Sequence, residues 1–170
     1  MFGNGHSFFI FVNMKAASVN EVKNELSAVP HKELLAMCMR LAKYKKENKE
    51  LLTYLLFEAD DEAAYIRNVK EEIDVQFLDL NKSSMFLAKK TIRKVLRTTN
   101  KFIRYSGIKR TEVELLIHYC KKIKATGLLK QDSVALHNLY QRQLQRIKKS
   151  MASLHEDLQY DYNEELKTLF

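Results

Sequence analysis

Residues 84–107 read SMFLAKKTIRKVLRTTNKFIRYSG, and they predict the fold more clearly than any other part of the chain. Apolar side chains recur every three or four residues along this stretch, which is the spacing of one face of an α-helix. The polar residues 81–84 mark the boundary before it, and Gly107 suits the left-handed conformation that ends many helices. We therefore predict a helix from Ser84 to Ser106.

On a helical wheel this helix separates into an apolar face and a basic face. The apolar face comprises Met85, Ala88, Ile92, Val95, Leu96, Thr99, Phe102 and Ile103. The opposite face holds no acidic residue and comprises Lys89, Lys90, Arg93, Lys94, Arg97, Lys101 and Arg104. Like charges four residues apart repel by about a few tenths of a kcal/mol, so a face that only contacts water usually mixes signs. Two interpretations stay open: a solvated face whose charge is offset by acidic residues of the earlier helices, or a face that binds an anion.

The basic charge is concentrated in one segment of the chain. Residues 80–155 hold eighteen of the 29 Lys and Arg residues but only three acidic residues, Glu112, Glu114 and Asp132, which gives the segment a net charge of +15. An electrostatic field dominated by positive charge to this degree usually implies an acidic partner. A second basic ridge is predicted near the C-terminus, and it consists of Arg142, Arg146 and Lys149. If the two ridges are neighbours in space, they form one broad basic surface.

Helical patterning continues towards the N-terminus. Ser18-Val-Asn-Glu21 has the form of a capping box, which opens a short helix that ends before Pro30. Asn48 is expected to break the following helix and to cap the next, and Asp60 and Asp61 are expected to cap a fourth. The second and third helices are predicted over residues 31–47 and 49–59, and the apolar residues of the fourth extend from Tyr65 to Leu80.

The C-terminal part of the chain predicts two more helices. Thr111-Glu-Val-Glu114 is a second capping box and opens a sixth helix that ends at Gly127. Asp132 is expected to cap a seventh helix that extends to about Tyr160. Its apolar residues alternate steps of four and three, which is a coiled-coil-like seam that permits self-association. The seam consists of Tyr140, Leu144, Ile147, Met151, Leu154 and Leu158.

The composition favours an all-α fold. Four Gly and one Pro in 170 residues leave few of the turn residues that all-β folds need. We predict about seven helices in antiparallel hairpins, arranged as a helical bundle or a short α-α superhelix. We expect residues 18–170 to form a single domain and residues 1–17 to be a flexible tail, with residues 1–13 either a loose extension or a stretch upstream of the true start codon.

Residues 33–59 read ELLAMCMRLAKYKKENKELLTYLLFEA. This stretch resembles small, uncharacterised bacterial all-helical proteins in the patterning of its helical hairpin. The resemblance implies an all-helical fold, and it implies no particular activity.

The sequence predicts no metal, cofactor or catalytic site. The acidic residues Glu58, Asp60, Asp61 and Glu62 lack the spacing and glycine of a calcium loop, and no Gly-rich phosphate loop occurs. His118 and Cys120 are two residues apart on one helix and point in different directions, and His118 is expected to be solvated.

The chain also lacks the marks of a secreted or membrane-spanning protein. The apolar run Phe8–Val12 is too short to cross a bilayer. The two cysteines, Cys38 and Cys120, fit a reduced cytoplasmic protein better than a disulfide framework.

Three functions are compatible with these patterns. The first is a non-catalytic helical interaction module that docks an acidic protein partner through the basic face. The second is non-specific nucleic-acid binding through the same face, for which Tyr105, Tyr119 and Tyr140 are candidate stacking residues. Tyr119 and Tyr140 lie on apolar faces, so we expect these two to pack in the core. The third is an enzyme whose site the sequence does not reveal.

Overall fold

The computed structural model describes residues 16–170. These residues form eight α-helices and one 3₁₀ turn, Leu128–Lys130, and no strand occurs among them. The prediction of an all-α fold is therefore confirmed. The helices are α1 (Val19–Ala28), α2 (His31–Tyr44), α3 (Lys46–Phe57), α4 (Glu62–Leu78), α5 (Met85–Ser106), α6 (Lys109–Ala125), α7 (Val134–Met151) and α8 (Glu156–Lys167).

The chain divides into two compact units, Met1–Asn48 and Lys49–Phe170. The predicted tail lies almost wholly outside the described residues and stays a prediction, as does the single domain over residues 18–170. In the first unit the predicted capping box is confirmed: the backbone N–H of Glu21 donates to Ser18 Oγ at 3.3 Å, and that of Ser18 donates to Glu21 Oε2 at 2.7 Å. No residue of α1 or α2 is buried.

The boundary between α2 and α3 differs from the prediction. α2 ends at Tyr44 rather than at Glu47, and α3 already begins at Lys46. Asn48 was expected to precede the third helix, but it lies inside the first turn of α3. Its Nδ2 donates to the Leu41 carbonyl at 2.9 Å, so its side chain satisfies an acceptor in the last turn of α2.

In the second unit, α6 is the central element of the core. It packs against α4, α5, α7 and α8, and nine of its seventeen residues are buried. A helix surrounded on several sides must be apolar around most of its circumference, which explains the dense run of large residues in α6. The fully buried side chains of α6 are Thr111, Val113, Leu115, Leu116, Tyr119, Cys120 and Ile123.

The predicted capping box at the start of α6 does not form. The helix begins at Lys109, two residues before Thr111, and Ile108 at its N-cap makes no side-chain bond. Thr111 is buried, and its hydroxyl donates to the Glu62 carboxylate on α4 instead of capping its own helix. A long-range partner therefore replaces the local one that the sequence suggested.

The long seventh helix is interrupted. α7 starts after Ser133 rather than after Asp132 and ends at Met151, and α8 folds back against α6 and α7. The first four seam residues are buried, and Leu154 and Leu158 are half-buried against the same core. The seam predicted for self-association thus packs inside the core of its own chain.

A candidate anion-binding surface on α5 and α7

α5 has the two faces that its sequence predicts. Its buried residues are Ala88, Ile92, Val95, Thr99 and Ile103. The Ser84 hydroxyl accepts a hydrogen bond from the backbone N–H of Leu87, and Gly107 ends the helix with a φ of 68°. Because the apolar face is held in the core, the opposite face of α5 points to water.

The basic face of α5 is largely unpaired. Lys89 is half-buried, and the exposed members are Lys90, Arg93, Lys94, Arg97 and Arg104. None of these six forms an ion pair with another residue of the second unit, Lys49–Phe170. They extend over sixteen residues of helix, and the distance along the helix axis from Lys89 to Arg104 is about 22 Å. Within this unit, no acidic residue of α3 or α4 pairs with these six cations.

Lys101 is the exception on this helix. Its ammonium lies 2.7 Å from Glu50 Oε2 on α3, and 5.0 Å from the centroid of the Phe102 ring. Lys101 was predicted as a member of the anion-binding face. Its charge is already matched, so it contributes to packing on the α3 side of α5 rather than to a free surface.

The second ridge also divides into free and paired residues. Arg142 and Lys149 are exposed, whereas Arg146 is engaged within the protein. Arg146 Nε lies 2.6 Å from Glu112 Oε1, and its Nη1 donates to Asn100 Oδ1 at 2.5 Å. Arg146 therefore connects α7 to α6 and α5 instead of offering its charge to a partner.

Glu112 is one of the three acids of the basic segment, and it is buried. Burial alone raises the pKa of its carboxyl, but hydrogen bonds from Lys109, Ser150 and Arg146 outweigh burial and hold the pKa below its ordinary value. Glu112 is therefore ionised at neutral pH and anchors Arg146.

The two ridges are neighbours in space. Arg93 of α5 and Arg142 of α7 line the same groove, which has a volume of about 520 Å³. The rest of the groove is mainly apolar or uncharged, and it is lined by Leu96, Val134, Ala135, Leu139, Asn138 and Gln143. The groove thus brings together one residue of each ridge, and the broad basic surface stays a prediction.

Sequence reasoning identified Arg93, Leu96 and Arg142 but missed the apolar residues that α7 contributes to this groove. Val134 is 70% exposed at the start of α7, and Leu139 is half-buried beside the seam residue Tyr140. The available signal was that Val134 and Leu139 are apolar but lie off the seam. Their role depends on which helix packs beside α7, and periodicity within one helix does not contain that information.

The prediction that the His118 side chain is solvated is wrong. Its Nε2 lies 2.5 Å from Asp74 Oδ1 on α4, and its side chain is 22% exposed. Lys122 reaches the other oxygen of Asp74 at 2.8 Å. Burial raises the pKa of Asp74, but hydrogen bonds from Lys122 and His118 outweigh it and hold the pKa below its ordinary value. These three residues form a structural cluster between α4 and α6.

Asp61 and Cys120 also have structural roles. Asp61 caps α4, since its Oδ1 accepts from the Ala64 backbone N–H at 2.9 Å. Burial raises the pKa of the Cys120 thiol to about 12, so its reactive thiolate form is strongly suppressed. No group of three or more His, Cys, Asp or Glu side chains within residues 16–170 could hold a metal ion.

Comparisons of the chain with protein-family models, with curated proteins and with solved structures find no match. The resemblance of residues 33–59 to bacterial helical proteins accordingly stays a prediction. In the part of the chain that the structure describes, no helix has both the length and the apolar character needed to cross a membrane.

Proposed function

We propose that this protein is a non-catalytic interaction module that docks an acidic segment of a protein partner on α5 and α7. One observation carries the proposal: Arg93 and Arg142 flank a groove whose lining includes Leu96, Val134 and Leu139. An amphipathic acidic helix carries the complementary pattern, because its apolar side chains fit such a groove while its carboxylates meet the arginines.

The exposed charges around the groove add attraction at longer range. Lys90, Lys94, Arg97 and Lys149 surround the groove-lining pair on the same two helices. Unpaired charges of one sign accelerate the encounter with an acidic partner, and the effect weakens as salt screens them. The apolar groove then supplies the part of the affinity that salt does not remove.

Non-specific nucleic-acid binding is the second candidate, and the same exposed cations support it. The three tyrosines considered for base stacking favour it less. Tyr119 and Tyr140 are buried, and the hydroxyl of Tyr105 donates to Glu50 Oε2 at 2.8 Å. Binding to nucleic acid would therefore rest on phosphate contacts, and it would leave the apolar groove unused.

A binding assay with three fluorescent probes separates the two candidates. The probes are an acidic amphipathic helical peptide with leucines at i, i+4 and i+7, a peptide of the same charge without leucine, and a DNA duplex. We expect the leucine-containing peptide to bind at least about tenfold more tightly than its leucine-free counterpart, from about 1.4 kcal/mol of apolar burial. Tighter binding of the duplex than of either peptide would favour the nucleic-acid alternative.

A further inference from the structure

A second pocket lies against the C-terminal half of α5, on the side that faces α3 and the start of α4. It has a volume of about 200 Å³ and shares no lining residue with the groove between α5 and α7. Its lining combines four aromatic rings with two carboxylates, and it consists of Glu50, Thr53, Tyr54, Glu58, Tyr65, Phe102 and Tyr105.

The four rings form a continuous series. The ring centroids of Tyr54 and Tyr65 are 4.6 Å apart, those of Tyr65 and Phe102 are 6.4 Å apart, and those of Phe102 and Tyr105 are 6.2 Å apart. The successive interplanar angles are 58°, 79° and 80°, so neighbouring rings are turned steeply against each other. Steep packing of this kind is typical of an aromatic cluster, and because all four rings also line the same pocket, its walls are rich in π-systems, which attract a cation.

A cation already lies against this cluster. The Lys101 ammonium is 5.0 Å from the Phe102 centroid, 5.9 Å from the Tyr105 centroid and 2.7 Å from Glu50 Oε2. Two of the rings and one carboxylate of the lining therefore stabilise a positive charge in the folded protein. This internal example shows that the electrostatics of the cluster favour a cation.

Glu58 supplies the second carboxylate of the pocket. It is half-buried, and it forms no ion pair with another residue of the described chain. Its carboxylate affects the pKa of the neighbouring Tyr65. Burial raises the pKa of the Tyr65 hydroxyl above its ordinary value, and the carboxylate of Glu58 raises that pKa further.

The three tyrosine hydroxyls of the pocket already donate hydrogen bonds to acceptors within the protein. Tyr54 donates to Glu62 Oε2 at 2.7 Å, Tyr65 donates to the Phe102 carbonyl at 2.9 Å, and Tyr105 donates to Glu50. The pocket therefore offers ring faces and negative charge, and its hydroxyl protons are used elsewhere. A cation that donates no hydrogen bonds fits such walls better than one that must be hydrogen-bonded.

We propose that this pocket binds a methylated ammonium group, of the kind found in a trimethylated lysine side chain or a choline headgroup. Its volume is several times the share of one water molecule, about 30 Å³, and lies below the range of about 300–1,000 Å³ typical of drug-sized ligands. A small headgroup matches that size. The pocket shares no lining residue with the groove between α5 and α7, so it can bind its ligand even if that groove binds nothing.

The first test compares choline with 3,3-dimethyl-1-butanol, its uncharged isostere in which carbon replaces nitrogen. Both are titrated at constant ionic strength into the full chain while backbone amide resonances are followed. We expect choline to shift resonances around Phe102 and Tyr105 and to bind at least about tenfold more tightly than the isostere. Equal binding of the two compounds, or no shift around these residues up to about 50 mM choline, where even one cation–π contact should register, overturns the proposal.

Matched variants locate the site. Phe102→Leu should weaken choline binding about tenfold, whereas Phe86→Leu, at a ring that is 74% exposed on the same helix, should leave it unchanged. Glu58→Gln should weaken choline binding about threefold, whereas Glu71→Gln, on the exposed face of α4, should leave it unchanged. This second pair of variants tests the site even if Phe102→Leu does not fold. Binding that is the same in Glu58→Gln and Glu71→Gln overturns the assignment of the pocket.

Two further probes distinguish the sources of the headgroup. N-acetyl trimethyl-lysine amide represents a modified protein, and phosphocholine represents a lipid headgroup. The carboxylate of Glu58 repels a phosphate, so we expect trimethyl-lysine to bind the more tightly of the two. Tighter binding of phosphocholine would still support an ammonium pocket and would assign it to lipid, whereas two affinities no better than that of the isostere would overturn it.

Discussion

Arg146 Nη1 on α7 donates to Asn100 Oδ1 on α5 across 2.5 Å, and the same guanidinium lies against the buried Glu112 carboxylate on α6. One side chain thereby connects three helices and holds the two basic ridges side by side. The groove between Arg93 and Arg142 exists because these helices are neighbours.

Replacing Arg146 by alanine should destabilise the fold. The substitution leaves Glu112 buried with Lys109 as its remaining ionic partner, and we expect a loss of about 2 kcal/mol in the free energy of unfolding. Urea denaturation measures this loss. Lys149→Ala removes an exposed, unpaired charge from the same helix and should change stability by less than about 0.5 kcal/mol. Equal losses in the two variants would show that Arg146 has no anchoring role.

Stability should fall in acid. The pKa values of Asp74, Glu112 and Glu114 lie below their ordinary values in the fold, so their contribution is fully present above about pH 5 and is lost as pH falls through the lowered folded-state values. The free energy of unfolding between pH 5 and pH 2 measures this dependence. Glu114→Gln should reduce its slope, because it removes a carboxylate paired with Lys70 and Arg110. A slope unchanged by this substitution would contradict the assignment.

The buried hydroxyl of Tyr119 should contribute measurably to stability. It donates to the Ile92 carbonyl at 3.0 Å from a side chain that is fully buried. Tyr119→Phe should therefore cost about 1 kcal/mol, since it leaves a buried carbonyl with one bond fewer. Tyr160→Phe, at a residue that is 69% exposed, is the matched control and should be neutral within about 0.5 kcal/mol. Both values come from the same thermal or urea unfolding curves.

The Cys120 thiol should react only when the chain unfolds. It is fully buried, and its raised pKa suppresses the thiolate. In a thiol-titration assay at pH 8, we expect Cys38 to react before Cys120, whose labelling should follow the rate of global unfolding. Rapid labelling of Cys120 in the native protein would show that the α6 core opens locally.

The sequence predicted the features that depend on one helix at a time. The two faces of α5 follow from the helical period, and the start of α1 follows from a local capping box. The errors occur where a distant partner decides the structure. Thr111 bonds to Glu62 on another helix, and Lys101 and Arg146 are paired with Glu50 and Glu112. No pattern within a single helix reveals these partners.

The early end of α7 has the same origin. The seam residues Leu154 and Leu158 keep the helical spacing, yet the chain turns after Met151 so that α8 packs against α6 and α7. The Tyr140 hydroxyl donates to the Leu169 carbonyl at 2.8 Å and holds the reversed segment in place. Burial of both helices against one core outweighs continuation of a single exposed helix.

The most direct test of the docking proposal is a double charge reversal in the groove. Arg93→Glu combined with Arg142→Glu should reduce the affinity for the acidic leucine-containing peptide at least about hundredfold, because two attractions become repulsions beside an apolar groove. Arg67→Glu combined with Lys82→Glu changes the net charge equally at exposed residues of α4 and of the loop before α5, and it should reduce affinity by less than about threefold. Fluorescence anisotropy at 150 mM salt measures both variants. Similar losses in the two double variants would contradict a specific site between α5 and α7.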